Sequence, residues 1–384
     1  MPATWAKAIT AVSGNEVNIY DGTISATTGT AVSNYSTSSD SIDTINISGG
    51  TISATTGTAV SGATINISGG TVSATTGSAV SSGSIATNIS GGSISATNGY
   101  AINSSTAWNH GLITISEAIP SMPTHVSSEN TDPNQGTIYL STSGSSGPLR
   151  LEITGGTVEN TASGNAVYNN SINEISISGG TVSAISGAAV YNAHIGALNI
   201  SGGTVMAETG NAVYESGRYY TGTSSVITIS GTALVSSGNT TANEGTVYFA
   251  AGGVAAHRLL ITGGTVENTA AGGNAVFNND TYAWVSISGG KVSATTGSAA
   301  YNYGNGKIYI SGTAMVSSAN TGANSGTVYL TNNSSSTSSL LEITGGTVEN
   351  TANPATNYAV YNDSTGVATI TGATITCLTF GVTP

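Results

Sequence analysis

The sequence predicts an all-β fold, a single-stranded parallel β-helix (β-solenoid) of about fourteen coils with three short strands per coil. Three observations predict it. A self-similarity of roughly 20 to 34 residues runs nearly end to end. Apolar and polar residues alternate in short segments divided by Gly-containing corners. Two places before the corner, which is a Gly in all copies but two, isoleucine stands in every copy.

The repeat decides the architecture. Its commonest phrase is E-I-S-I-S-G-G-T-V-S-A-I-S-G-A-A-V-Y-N at 174–192, with variants at 44–61, 64–81, 197–215, 283–302 and 340–362. Although 384 residues can hold several ordinary domains, one repeat array is the simpler organisation. We read residues 1–384 as one continuous β-solenoid with two subregions. Residues 1–110 form short regular coils, and 111–384 form coils with longer loops and an aromatic lane. In the second subregion, segments beginning I-S-G-T-A at 229 and 310 run through a long corner loop and a T-V-Y strand to I-T-G-G-T-V-E-N-T-A. The stretch 115–162 is a looser third copy, with Pro120, Pro123 and Pro133 in its loop.

Alternation with period two is the strand signal, and glycine supplies the positive φ that tight corners need. β-Branched residues and Gly outnumber helix formers, so helices are not expected.

The isoleucines define the core. They are Ile19, Ile47, Ile67, Ile89, Ile115, Ile153, Ile177, Ile200, Ile229, Ile261, Ile287, Ile310, Ile343 and Ile370. A branched residue also follows the corner, as at Ile52, Val72, Val158, Val205, Val266 and Val348. Such residues stack in columns when each turn lies one strand spacing, about 4.8 Å, above the last, which for fourteen coils gives a rod of roughly 65 Å. Right-handed winding is expected from the preference of parallel crossovers. An uncovered terminal coil would invite edge-to-edge association.

Composition excludes several functions. Six Lys and Arg face eighteen Asp and Glu, for a net charge of −12, and only 6% of residues are charged. Nucleic acid, which needs clustered cations, is not an expected partner. The lone Cys377 allows no intrachain disulfide. No apolar run approaches the roughly 20 residues of a membrane span, so membrane insertion is not expected. The start Met1-Pro2-Ala3-Thr4-Trp5 shows no signal peptide, so a native secreted protein would contain this chain as a fragment.

Alternation also assigns faces. With Val80 inward, the following residue of each coil points out, giving Tyr139, Tyr168, Tyr191, Tyr214, Tyr248, Phe277, Tyr301, Tyr329 and Tyr361. This aromatic lane is the candidate ligand-binding surface. Its rings can grip sugars, or bury against a host or cell-surface protein. Equally, they can stack on one another and stiffen the rod, or be turned inward by strand twist.

A second lane reads Thr23, Ser25, Thr27, then Thr51, Ser53, Thr55, then Thr71, Ser73, Thr75, then Ser93, Ser95, Thr97. Regular hydroxyl arrays also occur in ice-binding solenoids, but this one gives way to Glu159, Met206, Glu267, Lys291 and Glu349. Asn169, Asn192, Asn278, Asn302 and Asn362 end the third strand and suggest a corner stack whose amides satisfy free backbone groups. Five places before the corner, Arg150 sits one coil from Glu174, and Arg258 one coil from Trp284, which precedes Lys307. These columns suggest an ion pair and a cation-π sandwich.

Catalysis is not expected. Glycoside hydrolysis needs two carboxylates about 5 to 10 Å apart, whereas Glu159, Glu267 and Glu349 are separated by several coils. Asp21, Asp40, Asp43, Asp132, Asp280 and Asp363 are scattered among loops. His110, His125, His194 and His257 lack metal-ligand spacing and any Ser-His-Asp order. Neither a cofactor nor a metal is expected.

The grammar I-S-I-S-G-G-T-V-S-A-x-x-G-x-A-V-Y-N resembles repeats in large surface proteins, or adhesins, of Gram-positive, particularly gut-dwelling, bacteria. It is also similar to the β-helical polysaccharide-binding proteins of cellulolytic clostridia. The resemblance covers nearly the whole chain. It implies a non-catalytic module outside the cell, at the bacterial surface, acting as an adhesin or rigid stalk with glycan contact along the Tyr lane. A dedicated polysaccharide-binding β-helix is the alternative, followed by a phage or filament structural protein and an ice-binding protein. In the clostridial family, Asp-rich corners of the G-D-D-G kind hold calcium. The matching corners here are Thr55-Thr56-Gly57, Thr75-Thr76-Gly77, Ser186-Gly187 and Thr295-Thr296-Gly297, and hydroxyls without carboxylates make no strong site for a hard cation.

Overall fold

The computed structural model describes residues 9–11, 16–34, 43–82, 85–105, 111–141, 150–194, 196–216, 225–251, 258–331, 339–352 and 357–377; Asp40, His110 and His257 lie outside these residues. The chain divides into two compact units, Met1–Val190 and Tyr191–Pro384. Among the described residues every regular element is a strand.

In the first unit a coil consists of a first, a second and a third strand, as in Thr44–Ile47, Thr51–Ala54 and Thr58–Gly62. Each strand pairs in parallel with its equivalent one coil on, so Ile47 meets Ile67, Ile52 meets Val72, and Val60 meets Val80. This is the architecture of a parallel β-solenoid. In four coils the first two strands run on as one, in Thr64–Ala74, Ala86–Ala96, Leu151–Asn160 and Ile175–Ala184, with the register shifting at the glycine pair.

Alternation dictates the core. In Thr44–Ile47 and Thr51–Ala54 every second residue is buried. The column Ile19, Ile47, Ile67, Ile89, Ile115, Ile153 and Ile177 is buried throughout. Burying each of these side chains is worth about 1.5–3 kcal/mol against leaving it in water. Close stacking also explains the glycines. Gly70 adopts φ +80°, and a Cβ there would lie 2.8 Å from backbone atoms of Gly49 and Gly50. At the next corner a Cβ on Gly77 would lie 1.8 Å from the Gly57 carbonyl oxygen. A side chain at that place would push the coils apart.

The second unit repeats the plan. First strands include Val226–Ile229, Arg258–Ile261, Trp284–Ile287 and Lys307–Ile310; second strands include Leu234–Ser237, Thr265–Asn268 and Lys291–Ala294. Third strands include Val213–Glu215, Gly245–Phe249, Asn274–Asn278, Ala300–Asn302, Gly326–Leu330 and Tyr358–Asn362. All the pairings between these strands are parallel. Ile200, Ile229, Ile261, Ile287, Ile310 and Ile343 are buried, whereas Ile370 is 44% exposed. The strand that carries Ile370, Val367–Ile370, has its other residues open too.

The longer-range repeat has a specific hydrogen-bonded basis. The threonine of each T-V-Y or T-I-Y strand, Thr137, Thr246 or Thr327, donates to the carbonyl of Glu159, Glu267 or Glu349 at 2.8, 2.8 and 2.9 Å. Each also shares a hydrogen bond with the serine that ends the preceding second strand, Ser128, Ser237 or Ser318. The asparagine of E-N-T-A accepts from the backbone two residues on and donates one coil back, as Asn268 does to the Asn239 carbonyl at 2.9 Å. These contacts satisfy the polar backbone that long corners would otherwise leave buried.

Candidate functional site

The aromatic column forms where the sequence places it. In the third strands of the first unit Tyr139 pairs with Tyr168, and the outward column before them carries Ser61, Ser81 and Asn103. The Tyr139 and Tyr168 rings stack with centroids 5.7 Å apart, and Tyr100 packs on Tyr139 at 5.1 Å. In the second unit Tyr191 and Tyr214 stack at 4.5 Å with planes only 10° apart. The row continues through Tyr248, Phe277, Tyr301, Tyr329 and Tyr361, with successive centroids 4.5 to 5.9 Å apart.

Exposure departs from the expected open lane. Tyr139, Tyr191, Tyr214, Tyr248, Tyr301, Tyr329 and Tyr361 are half-buried, while Tyr168 is 4% and Phe277 0% exposed. The cause is mutual covering. Parallel strands bring equivalent rings closer than a second aromatic layer can pass, and Phe277 is also flanked by Tyr303 at 6.0 Å. The rings therefore cover one another, face to face at Tyr139–Tyr168 and Tyr191–Tyr214 and edge-on or tilted in the rest of the row. Their hydroxyls are drawn into the same row: Tyr214 with Tyr191 and Tyr301 with Tyr329 are hydrogen-bonded, and Asn279 donates to Tyr248. Burial, then neighbouring phenols, raise the Tyr214 and Tyr301 hydroxyls well above the usual phenol range.

The asparagines end the third strand at Asn192, Asn278, Asn302 and Asn362, and Asn169 stands one residue before its end. Asn278 Nδ2 donates to Asn302 Oδ1 at 2.9 Å, while Asn302 and Asn362 donate to the carbonyls of Gly306 and Gly366. Asn169 Oδ1 accepts from the backbone of Ser171. A second asparagine ladder escapes the sequence reading. Along the first strands Asn46 donates to Asn18, Asn66 to Asn46 and Asn88 to Asn66, at 2.8 to 2.9 Å. Its signal was the N of the T-I-N-I-S phrase, repeated in register.

The corner column also holds a carboxyl. Glu215 occupies a third-strand end in register with Phe249, which in turn pairs with Asn278. It is buried and accepts from Asn192 Nδ2 at 2.7 Å. Burial pushes its carboxyl up to about 8, against the hydrogen bonds from Asn192 and Ser225, and the nearby charge of Asp280 adds to the rise.

The charged columns divide. Arg258 lies 5.3 Å and Lys307 5.9 Å from the Trp284 ring centroid, the cation-π sandwich that the register predicts. The expected Arg150–Glu174 ion pair is not made. Arg150 is 1% exposed, its Nη2 donates to the carbonyl and hydroxyl of Ser104, and its backbone N–H takes the Glu174 carbonyl at 2.9 Å. Its Nε and Nη1 have no partner. The physical reason is local: the strand starts at Leu151, so alternation does not govern the residue before it. Burial lowers the Arg150 guanidinium to about 10.

The recurring glutamates do not converge. Glu159 is held by His125 Nε2 at 2.7 Å, and Glu267 accepts from Ser236. Near Glu267, a shallow polar groove of about 300 Å³ is lined by Lys291, Ser293, Thr295 and Ser317 among others. The Thr-Ser-Thr lane is in register from Thr23 to Ser93, and its corner hydroxyls turn back onto the protein, as Thr76 does to the Thr55 carbonyl at 3.2 Å. Among the described residues no three His, Cys, Asp or Glu gather as a metal site. No protein family, curated protein or solved structure matches the chain.

Proposed function

We propose that the chain is a non-catalytic structural module, a stiff spacer in a stalk or adhesin at a bacterial cell surface. One observation carries this reading: the aromatic residues pack on one another along the row, face to face in the 4.5 Å stack of Tyr191 on Tyr214 and edge-on or tilted elsewhere, so that each ring gives part of its surface to its neighbours. A sugar needs an aromatic face, and ring-to-ring contact is worth about 0.5–1.5 kcal/mol per pair in addition to the area buried. The lane is thus a stiffening element laid over a solenoid. Few charges, abundant Gly, Ser, Thr and Asn, and the likeness of the repeat to Gram-positive surface proteins support placement outside the cell.

The test is a glycan array and a denaturation curve on wild type and on the Tyr191→Ala, Tyr214→Ala double variant. A spacer loses stability in the variant and keeps whatever glycan profile the wild type has. Loss of sugar binding with an unchanged unfolding midpoint overturns the reading in favour of a dedicated polysaccharide-binding lane.

A further inference from the structure

We propose that the outer face of the first-strand stack in the second unit binds an acidic polysaccharide, with Arg258 and Lys307 as its carboxylate contacts and Trp284 as the plate that holds them in place. The inference goes beyond the spacer reading and stands independently of the Tyr lane.

Register brings the three residues together. Arg258 pairs with Trp284, and Trp284 with Lys307, at the same outward position of consecutive coils. The two cations therefore approach the indole from opposite coils, at 5.3 and 5.9 Å. Trp284 is nevertheless 40% exposed. Tyr309 lies 6.1 Å from it, one coil on, in the adjacent outward column that also carries Leu260 and Ser286 and, one coil beyond Tyr309, Glu342.

The cations are unneutralised. Among the described residues the ion pair found is His125–Glu159, and Arg258 and Lys307 bond to Ser225 and Ala283 through their backbone N–H groups, leaving the two cationic heads on the indole. This is unusual in a chain with eighteen carboxylates and six Lys and Arg. Stacking on the indole limits the rotamers of both long side chains, so less ordering is left to be done when an anion arrives.

Geometry selects the ligand class. The two cationic heads stand two strand spacings apart, about 10 Å, which suits a polymer with recurrent carboxylates better than a single small anion. Two cations are too few for nucleic acid. A peptide strand would need a free sheet edge, and these strands are paired on both sides. The hydroxyls of Ser286 and Tyr309 beside the row can donate to and accept from sugar hydroxyls.

The experiment is calorimetric titration of the full chain with polygalacturonate oligomers and with their methyl-esterified form, at low and high salt. The wild type should bind the acid, ignore the ester and release it at high salt. Arg258→Gln/Lys307→Gln should weaken binding at least about tenfold, and Trp284→Ala should weaken it severalfold although both charges remain. Lys291→Gln, which alters a cation on a second strand outside the row, should leave it unchanged. All substitutions lie on the surface, and matched thermal melts confirm that each variant is folded. Equal binding of acid and ester, equal binding by wild type and double variant, or no heat with the acid overturns the proposal. So does sedimentation showing a wild-type self-association that Trp284→Ala abolishes, which would make a second copy the occupant.

Discussion

The Asn192 side-chain amide donates to the buried Glu215 carboxyl at 2.7 Å, inside a corner column that carries Phe249 and then Asn278 and Asn302 in the following coils. A carboxyl in that place is held uncharged, because burial outweighs its two hydrogen bonds and lifts it from 4.5 to about 8. The folded chain keeps the proton more tightly than the unfolded chain. Its stabilising effect is full below about pH 4.5, declines as pH rises by up to about 1.4 kcal/mol per unit, and is gone above the folded value. Glu215→Gln removes this slope. Urea unfolding of the second unit at pH 5 and pH 9 should show wild type weaker at pH 9 by several kcal/mol, with the variant nearly level.

Tyr301 touches Phe277 at 4.5 Å and Tyr329 at 4.6 Å. Tyr301→Ala should lower stability by about 2–3 kcal/mol, from two lost ring contacts and the area they bury. Its raised hydroxyl adds an alkaline signature. Since the folded phenol ionises above the unfolded one, the stabilisation is full below about pH 10 and falls as pH rises further, and the variant should lose part of that decline. Unfolding midpoints between pH 8 and pH 11 check both.

Gly77 stacks so closely on Gly57 that a Cβ would lie 1.8 Å from the Gly57 carbonyl oxygen. Gly77→Ala should therefore cost more than about 2 kcal/mol although the new methyl group is small. Hydrogen exchange should report the loss first in Thr75, Thr76 and Ser78, whose strands and corner meet there.

Arg150 is a buried cation whose Nε and Nη1 have no partner. Replacing it with an apolar residue of similar reach removes a desolvated charge. Arg150→Met should leave the first unit equally stable or stabilise it by about 1–4 kcal/mol, measured by urea denaturation. A loss of more than about 2 kcal/mol would show that the Ser104 contact outweighs the burial of the charge.

Much of the fold was legible because a solenoid writes one coil's environment many times. Ile47, Ile67 and Ile89 share a place in the phrase and share a buried column. The cation-π row was legible for the same reason. Legibility ended where a residue's surroundings come from outside its own strand. Phe277 alternates outward yet is covered by Tyr248, Tyr301 and Tyr303, the last of them beyond the strand end. Arg150 stands one place before its strand, so the register that set it beside Glu174 did not reveal its burial. Glu215 was readable in principle as a carboxylate in an asparagine column, but its protonation depends on burial that no spacing reveals.

The solenoid requires equivalent residues to lie directly over one another in successive coils, and cysteine cross-linking measures this most directly. In a Cys377→Ser background, Ser53→Cys/Ser73→Cys places two thiols at paired positions of adjacent coils, while Ser53→Cys/Ser95→Cys places them two coils apart. Mild oxidation of dilute protein should link the first pair and leave the second free, since a disulfide spans Cα atoms only about 4.4–6.8 Å apart. Linkage of the second pair in preference to the first, or of neither, would contradict the stacked columns.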